Sequence, residues 1–394
     1  MSGSSPSGAP RRPVWRAGRT GRWVLALGIS VAVVLAGVGL FIALTPGGGG
    51  SCPSRFGSGG TPITVYTYSS FLGGPCNTAA LESVFGSFAQ AHRATVTLVE
   101  PAGTLLAALA QPIGPAADVV IGLDEVTATT ALRAGLIVPY RSPALADMVP
   151  GLATELSSDA AATPYEYGYL GIDYNTTFNA ALGGAAAHLS LPAIADQLRW
   201  AQNFLYENPT TSIVGEEFLV SEIAYYQSVL HQPWQPFWNA TLPVAPQATD
   251  WQDAFNEFSG PAGAPGFVVS YTTDPAYAAF SGTPGVYNST APWWNGTAYG
   301  WRTIYGAAVV HGSPHPALDE ALINWLLSPT VQSLLPTNEW EYPANATVPV
   351  PSVFGYAEPP GSITPLNGAL PPTEVASELP GWLAEWQALA QRWG

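Results

Sequence analysis

The sequence predicts an α/β protein, and three observations predict it. Strand-like and helix-like stretches alternate from residue 63 onward; 47% of the 394 residues are hydrophobic; only 10% are charged. ITVYTYSSF (63–71) reads as a strand running into a turn. AALESVFGSFAQAH (79–92) follows, with Leu81, Val84, Phe85 and Phe88 at helical spacing. ATVTLVEP (94–101) is the next strand, TLLAALAQ (104–111) the next helix and ADVVIGL (117–123) a buried strand. Repetition at this spacing means right-handed βαβ units and a parallel sheet. A second α/β series begins near residue 165, and PALDEALINWLLSPTVQSLL (316–335) is a long amphipathic helix interrupted at Pro329. The 38 Pro and 41 Gly imply many defined loops, where ligand contacts concentrate.

Residues 1–22 form a basic tail, and residues 23–44, WVLALGISVAVVLAGVGLFIAL, carry no charge. At about 1.5 Å per residue that run spans a bilayer core of roughly 30 Å, so an N-terminal transmembrane helix is expected. Arg11, Arg12, Arg16, Arg19 and Arg22 precede it and no Lys or Arg follows before Arg55, which places the N-terminus in the cytoplasm and the rest outside. A cleaved signal peptide is the rival, but its apolar region is usually only about 7–15 residues. Residues 45–61 are a Gly/Ser-rich linker. It contains Cys52, which either pairs with Cys76, the only other cysteine, or carries a lipid; a disulfide suits an extracytoplasmic chain. The sequons at Asn175, Asn239, Asn288, Asn295 and Asn345 fit the same side of the membrane.

Beyond residue 60 the chain holds 6 Arg and no Lys against 27 acids, a formal −21. A nucleic-acid binder needs a positive surface, so that class is excluded. Catalytic signatures are missing too: there is no G-x-S-x-G, P-loop, H-E-x-x-H or C-x-x-C. The five His are scattered, and Pro314 separates His311 from His315, so no metal site is expected. Glu216 and Glu217 are adjacent and read as a solvated helix face. Neither an enzyme nor a cofactor is called for.

TVYTYSSF, ADVVIGLDEVTATTALRAGLIVPY, TPYEYGYLGIDYN, ENPTTSIVG, VVSYTTDPAY and NEWEYPANATVPVP occur in an order that resembles the thiamine-binding proteins of thiamine ABC transporters. The likeness runs from about residue 62 to the closing GWLAEWQALAQRW. It implies a two-lobed clamp of the type II periplasmic-binding-protein class, with lobe 1 built from 62–168 plus 303–394 and lobe 2 from 169–302. It also implies capture of thiamine or its phosphates by lobe closure, without chemistry, for delivery to a separate permease and ATPase. The family's aromatic site residues map onto Tyr68, Trp251, Tyr271 and Trp340, with Asp124 facing the cleft and Thr272, Thr273 and Asp274 in YTTD. Backbone amides at Ala102 and Gly103 and at the Thr211–Ser212 turn would receive a hydroxyl or phosphate tail. Such aromatic faces suit a thiazolium cation.

Three positions depart from the family pattern. Ser69 stands where Asp is usual, Thr210 where Arg is usual, and Asp274 where a small neutral Ser is common. Together they weigh against phosphate binding. Two rivals stay open: a binder of the same fold for a metal, a polyamine or a sugar, and a thiaminase-like enzyme. A polyamine would call for several cleft carboxylates; the enzyme would call for a cleft cysteine, and neither cysteine is well placed.

Overall fold

A computed structural model describes residues 52–157, 159, 161–260 and 264–393. The basic tail, the expected membrane helix at 23–44 and the first part of the linker lie outside the described residues. Among those described, no helix is long and apolar enough to cross a membrane.

The strands in chain order are β1 (Arg55–Phe56), β2 (Thr61–Tyr66), β3 (Ala94–Val99), β4 (Val119–Leu123) and β5 (Ile137–Val138). Then come β6 (Thr163–Asn175), β7 (Phe204–Glu207), β8 (Gln247–Ala248), β9 (Phe267–Tyr271) and β10 (Tyr287–Thr290). The last are β11 (Trp293–Trp294), β12 (Thr297–Gly300), β13 (Arg302–Val310), β14 (Tyr342–Pro343) and β15 (Ile363–Pro365). The main sheet runs β1-β3-β2-β4-β13-β6-β9-β7-β8. Its flanks are parallel, as βαβ units require: β2 with β3 and β4, and β7 with β8 and β9. Its middle is not. β13 runs antiparallel to β4 and to β6, and β6 antiparallel to β9 and β10, so the sheet is mixed rather than parallel throughout.

β6 organises the molecule. Twelve of its 13 residues are buried, and its register changes partner midway: Tyr167 and Tyr169 face Ile304 and Arg302 of β13, while Leu170 and Ile172 face Tyr271 and Val269 of β9. Tyr165, Tyr167 and Tyr169 belong to one hydrophobic core with Val65, Ile121 and Leu322. Leu170, Ile172 and Tyr174 belong to a second, with Phe204, Phe218 and Trp238. These two cores are the two lobes.

One expectation is corrected here. The resemblance places the C-terminal helix Pro372–Ala390, with the rest of 303–394, in lobe 1, but its Val375, Leu379, Trp386 and Leu389 are buried in the second core. It also lies against the helix Glu125–Arg133, where Arg133 Nη2 donates to Thr373 O at 3.2 Å, so it straps lobe 2 to lobe 1. The long helix expected over 316–335 is three pieces, Pro316–Leu326, Pro329–Gln332 and Leu335–Asn338, because Pro329 and Pro336 each start a new turn. Cys52 and Cys76 form a disulfide, with Cα atoms 5.0 Å apart, which ties the linker's end to lobe 1. Of the sequons, Asn345 is 4% exposed and its amide bonds Leu327 O, so in the folded chain it is closed to glycosylation.

Candidate functional site

Where the two halves of β6 meet, the register gathers acids and tyrosines onto one face of the sheet. Glu166 and Gly168 are two residues apart on one strand and therefore share that face. Tyr305 lies opposite Glu166 on β13, and Tyr271 lies opposite Leu170 on β9. Tyr271 and Tyr305 face each other electrostatically across the lobe junction. Gly168 makes room for Glu341, since any Cβ there would overlap that carboxylate.

Tyr68, just beyond β2, completes the lobe 1 side. Its ring lies over Gly122, whose φ of +106° and lack of a side chain leave the space. Its hydroxyl is 3.0 Å from the Tyr165 hydroxyl, 3.1 Å from Glu166 Oε1 and 3.2 Å from Glu339 Oε2. Glu339 also accepts from Leu72 N. From lobe 2 comes Glu217, on the helix Ile213–Ala224 that Ser212 caps; its charge is felt by Tyr271 and Tyr305. From lobe 1, Asp124 caps the helix Glu125–Arg133 by accepting from Thr127 N at 2.7 Å, and Glu125 follows with its carboxylate on Trp301 Nε1 at 3.0 Å.

The cluster is acidic and buried. Glu166 Oε2, Glu125 Oε2, both Glu217 oxygens and Glu341 Oε2 are buried without a hydrogen-bond partner. Burial raises Glu166 to about 8, and burial with the neighbouring Asp124 raises Glu125 to about 8 and Glu216 to about 7. Burial, then repulsion from Glu125, Asp124, Glu216 and Glu341, pushes Glu217 well above the carboxylate range. Burial does the same to Glu339 and Glu341, both repelled by Glu166. Among the described residues no cationic side chain acts on any of these acids. Arg302, nearby on β13, is committed to Glu155 at 3.1 Å and to the Tyr169 hydroxyl at 2.8 Å. Buried carboxyl groups in such numbers are stable only when protonated or when a cation arrives.

The remaining expected site residues divide into two sets. Trp251 stacks on Phe255 at 5.1 Å and donates from Nε1 to Ser270 Oγ at 2.9 Å; Ser270 in turn donates to Asp274. Asp274 also accepts from Tyr271 N at 3.3 Å, so it braces the end of β9, and its charge is felt by Glu341. Thr272 and Thr273 are buried in the same corner. Trp340 has φ +61°, a left-handed conformation that costs a bulky residue on the order of 1–2 kcal/mol. The strain aims its ring at Tyr277 and Phe280 of lobe 2, with centroids at 5.1 and 5.0 Å. By contrast Ala102, Gly103 and Thr211 are exposed. Ser212 reaches the cluster only through Glu207, to which its hydroxyl donates. A pocket of about 180 Å³ on lobe 1 shares Tyr68 with the cluster but none of its buried acids.

The acids themselves are what sequence reasoning missed. Of the Glu216–Glu217 pair, expected to face solvent, Glu217 instead turns inward and is 5% exposed, while Glu216 is half-buried. The available signal was context. Glu166 sits in YEY, Glu339 and Glu341 in EWEY, and Glu217 opens the apolar run EFLV.

Three comparisons bear on this arrangement. The family described as bacterial extracellular solute-binding protein matches residues 78–333. The thiamine-binding periplasmic protein of Escherichia coli K12 is 28% identical over 330 residues, covering 84% of this chain and 94% of its own. A solved structure of a periplasmic thiamin binding protein superposes with a TM-score of 0.65 at 25% identity, over 86% of this chain and 99% of that one. The periplasmic binding protein AfuA from Actinobacillus pleuropneumoniae, with fructose-6-phosphate bound, reaches the same TM-score at 15% identity, over 85% of this chain and 99% of its own, a likeness of fold alone.

Proposed function

The chain belongs to the bacterial extracellular solute-binding protein family, and on that premise we propose that it captures thiamine in the acid-and-tyrosine cleft for delivery to a separate ABC permease. It is a binding protein rather than an enzyme. The observation that carries the reading is the set of buried, unpartnered carboxylate oxygens at the lobe junction. Thiamine offers what they lack, a permanent thiazolium charge on a flat body. Tyr68, Tyr271 and Tyr305 supply ring faces, where each cation–π contact contributes about 0.5–2 kcal/mol. The thiamine-binding relatives, matched over nearly their whole length, favour the same ligand.

One observation favours a second reading. Several carboxylates in one cleft also suit an organic polyamine. Yet the raised acids are largely neutral near pH 7, so the cleft asks for one or two positive charges, and stacked aromatics serve a flat ring better than a flexible chain. Calorimetric titration separates the two. Thiamine is expected to bind the full chain, and Tyr271→Ala or Trp340→Ala to weaken it by about 1–3 kcal/mol, roughly 5- to 150-fold. Unaltered affinity in both variants removes the site assignment, and tighter binding of spermidine than of thiamine removes the ligand.

Residues 23–44 support a single N-terminal anchor with the binding domain outside the membrane. Alkaline carbonate, which strips peripheral proteins, is expected to leave the chain in the membrane fraction; its release into the supernatant contradicts the anchor.

A further inference from the structure

The turn at 208–212 is the expected receiver of an anionic tail, and its backbone amides and hydroxyls are already engaged. Thr210 N and Oγ1 both donate to Asn208 Oδ1, at 2.9 and 2.8 Å. Thr211 N and Ser212 N donate to Asn208 O at 3.1 and 3.0 Å, and Thr211 Oγ1 to Thr249 O at 2.9 Å. Gly215 N, inside the first helical turn, donates to Ser212 Oγ. The Ser212 hydroxyl itself donates to Glu207, which is 1% exposed, has its other oxygen unpartnered, and is repelled by Asp250 and Asp274. An anion approaching this helix start meets the Glu207 carboxyl held by Ser212, and of the first-turn amides Ile213 N and Val214 N alone stay open to it.

The rest of the cleft repeats the pattern. Glu125, Glu166, Glu217 and Glu341 present unpartnered oxygens, and Arg302, the described cation on the hinge strands, is already paired with Glu155. The exposed Ala102–Gly103 turn keeps free space, but Glu100 stands two residues before it and lines the pocket behind Tyr68.

We propose that the cleft selects the unphosphorylated thiamine cation and turns away its phosphate esters, a selection that rests on the thiamine reading above. A phosphoryl group reverses the ligand's net charge and must be set among carboxylates, with no guanidinium fork to hold it. Discrimination is local, because repulsion between groups in contact survives the salt that screens charges beyond about 8–10 Å.

The test titrates the full chain, in detergent, with thiamine, thiamine monophosphate and thiamine diphosphate at low and high salt. Thiamine is expected to bind at least about tenfold more tightly than either ester, on the order of 1.4 kcal/mol. A Glu207→Gln, Thr210→Arg double variant removes the carboxyl and adds a guanidinium at the turn, and is expected to narrow the ratio by about tenfold. Glu207→Gln alone, which keeps an acceptor for Ser212, is expected to narrow it less. Esters that bind the unmodified chain as tightly as thiamine overturn the selection and leave the ligand reading standing. Silence from all three ligands overturns both. A ratio unchanged in both folded variants overturns the role of the 208–212 turn.

Discussion

Replacing Glu217 by Gln is expected to lower thiamine affinity by about 2–4 kcal/mol, roughly 30- to 1,000-fold, while making the ligand-free chain more stable at pH 8. Both consequences come from the same two unpartnered oxygens. With thiamine seated as proposed, the carboxylate would face a desolvated cation, and the amide that replaces it carries no charge. Without ligand, Glu217 is buried among Glu125, Asp124, Glu216 and Glu341, and ionising it is opposed on every side. Its pKa, like those of Glu166 at about 8, Glu216 at about 7 and Asp274 at about 6, is raised above the unfolded value of about 4. The native state therefore binds more protons than the unfolded state between those limits. Stability from these groups is complete below the unfolded pKa and is lost as pH rises through the folded ones. The melting temperature of the ligand-free chain should fall between pH 5 and pH 8 by on the order of 5 °C, less in Glu217→Gln, and saturating thiamine should oppose the fall. A melting temperature that climbs toward pH 8, or a variant that binds thiamine normally, contradicts this account of the cleft.

Gly122→Ala is expected to destabilise lobe 1 by about 2–5 kcal/mol and to weaken ligand binding with it. Gly122 has φ +106°, and a methyl group there is driven into the Tyr68 ring. That ring cannot retreat freely: its hydroxyl is held by Tyr165, Glu166 and Glu339, and its edge packs on Phe71 at 5.7 Å. Gly103→Ala is the control. Its φ is +82° but nothing lies within 4 Å of the added carbon, so it should cost only the backbone strain of about 1–2 kcal/mol. Urea unfolding of both variants separates the contributions. Equal losses would mean that Tyr68 is not held where it stands.

The local parts of this fold can be read from residue patterns because their causes are local. Ile63 and Val65 alternate along β2, Leu81, Val84, Phe85 and Phe88 recur at helical spacing, and Asp124 caps the helix that follows β4. β6 defeats the same method. TPYEYGYLGIDYN is buried on both faces, so its period of two disappears, and its partner Tyr305 is remote in sequence from Glu166. The site divides along similar lines. Its tyrosines and tryptophans stand in motifs recognisable by resemblance. Its acids were passed over because a glutamate on a helix or strand ordinarily faces water, and only the assembled fold places Glu166, Glu217 and Glu341 inside.

The partner switch along β6 also governs the order in which the chain can fold as it leaves the ribosome or crosses the membrane. Residues 163–169 wait for β13, which ends at Val310, before lobe 1 has a closed sheet. Lobe 2 has all its strands earlier but still lacks Val375, Leu379, Trp386 and Leu389 from the C-terminal strap. Neither lobe is therefore a segment that matures alone while the rest is being made. β13 closes the lobe 1 sheet and the last helix then completes the lobe 2 core, so the pace of folding is set by contacts more than a hundred residues apart.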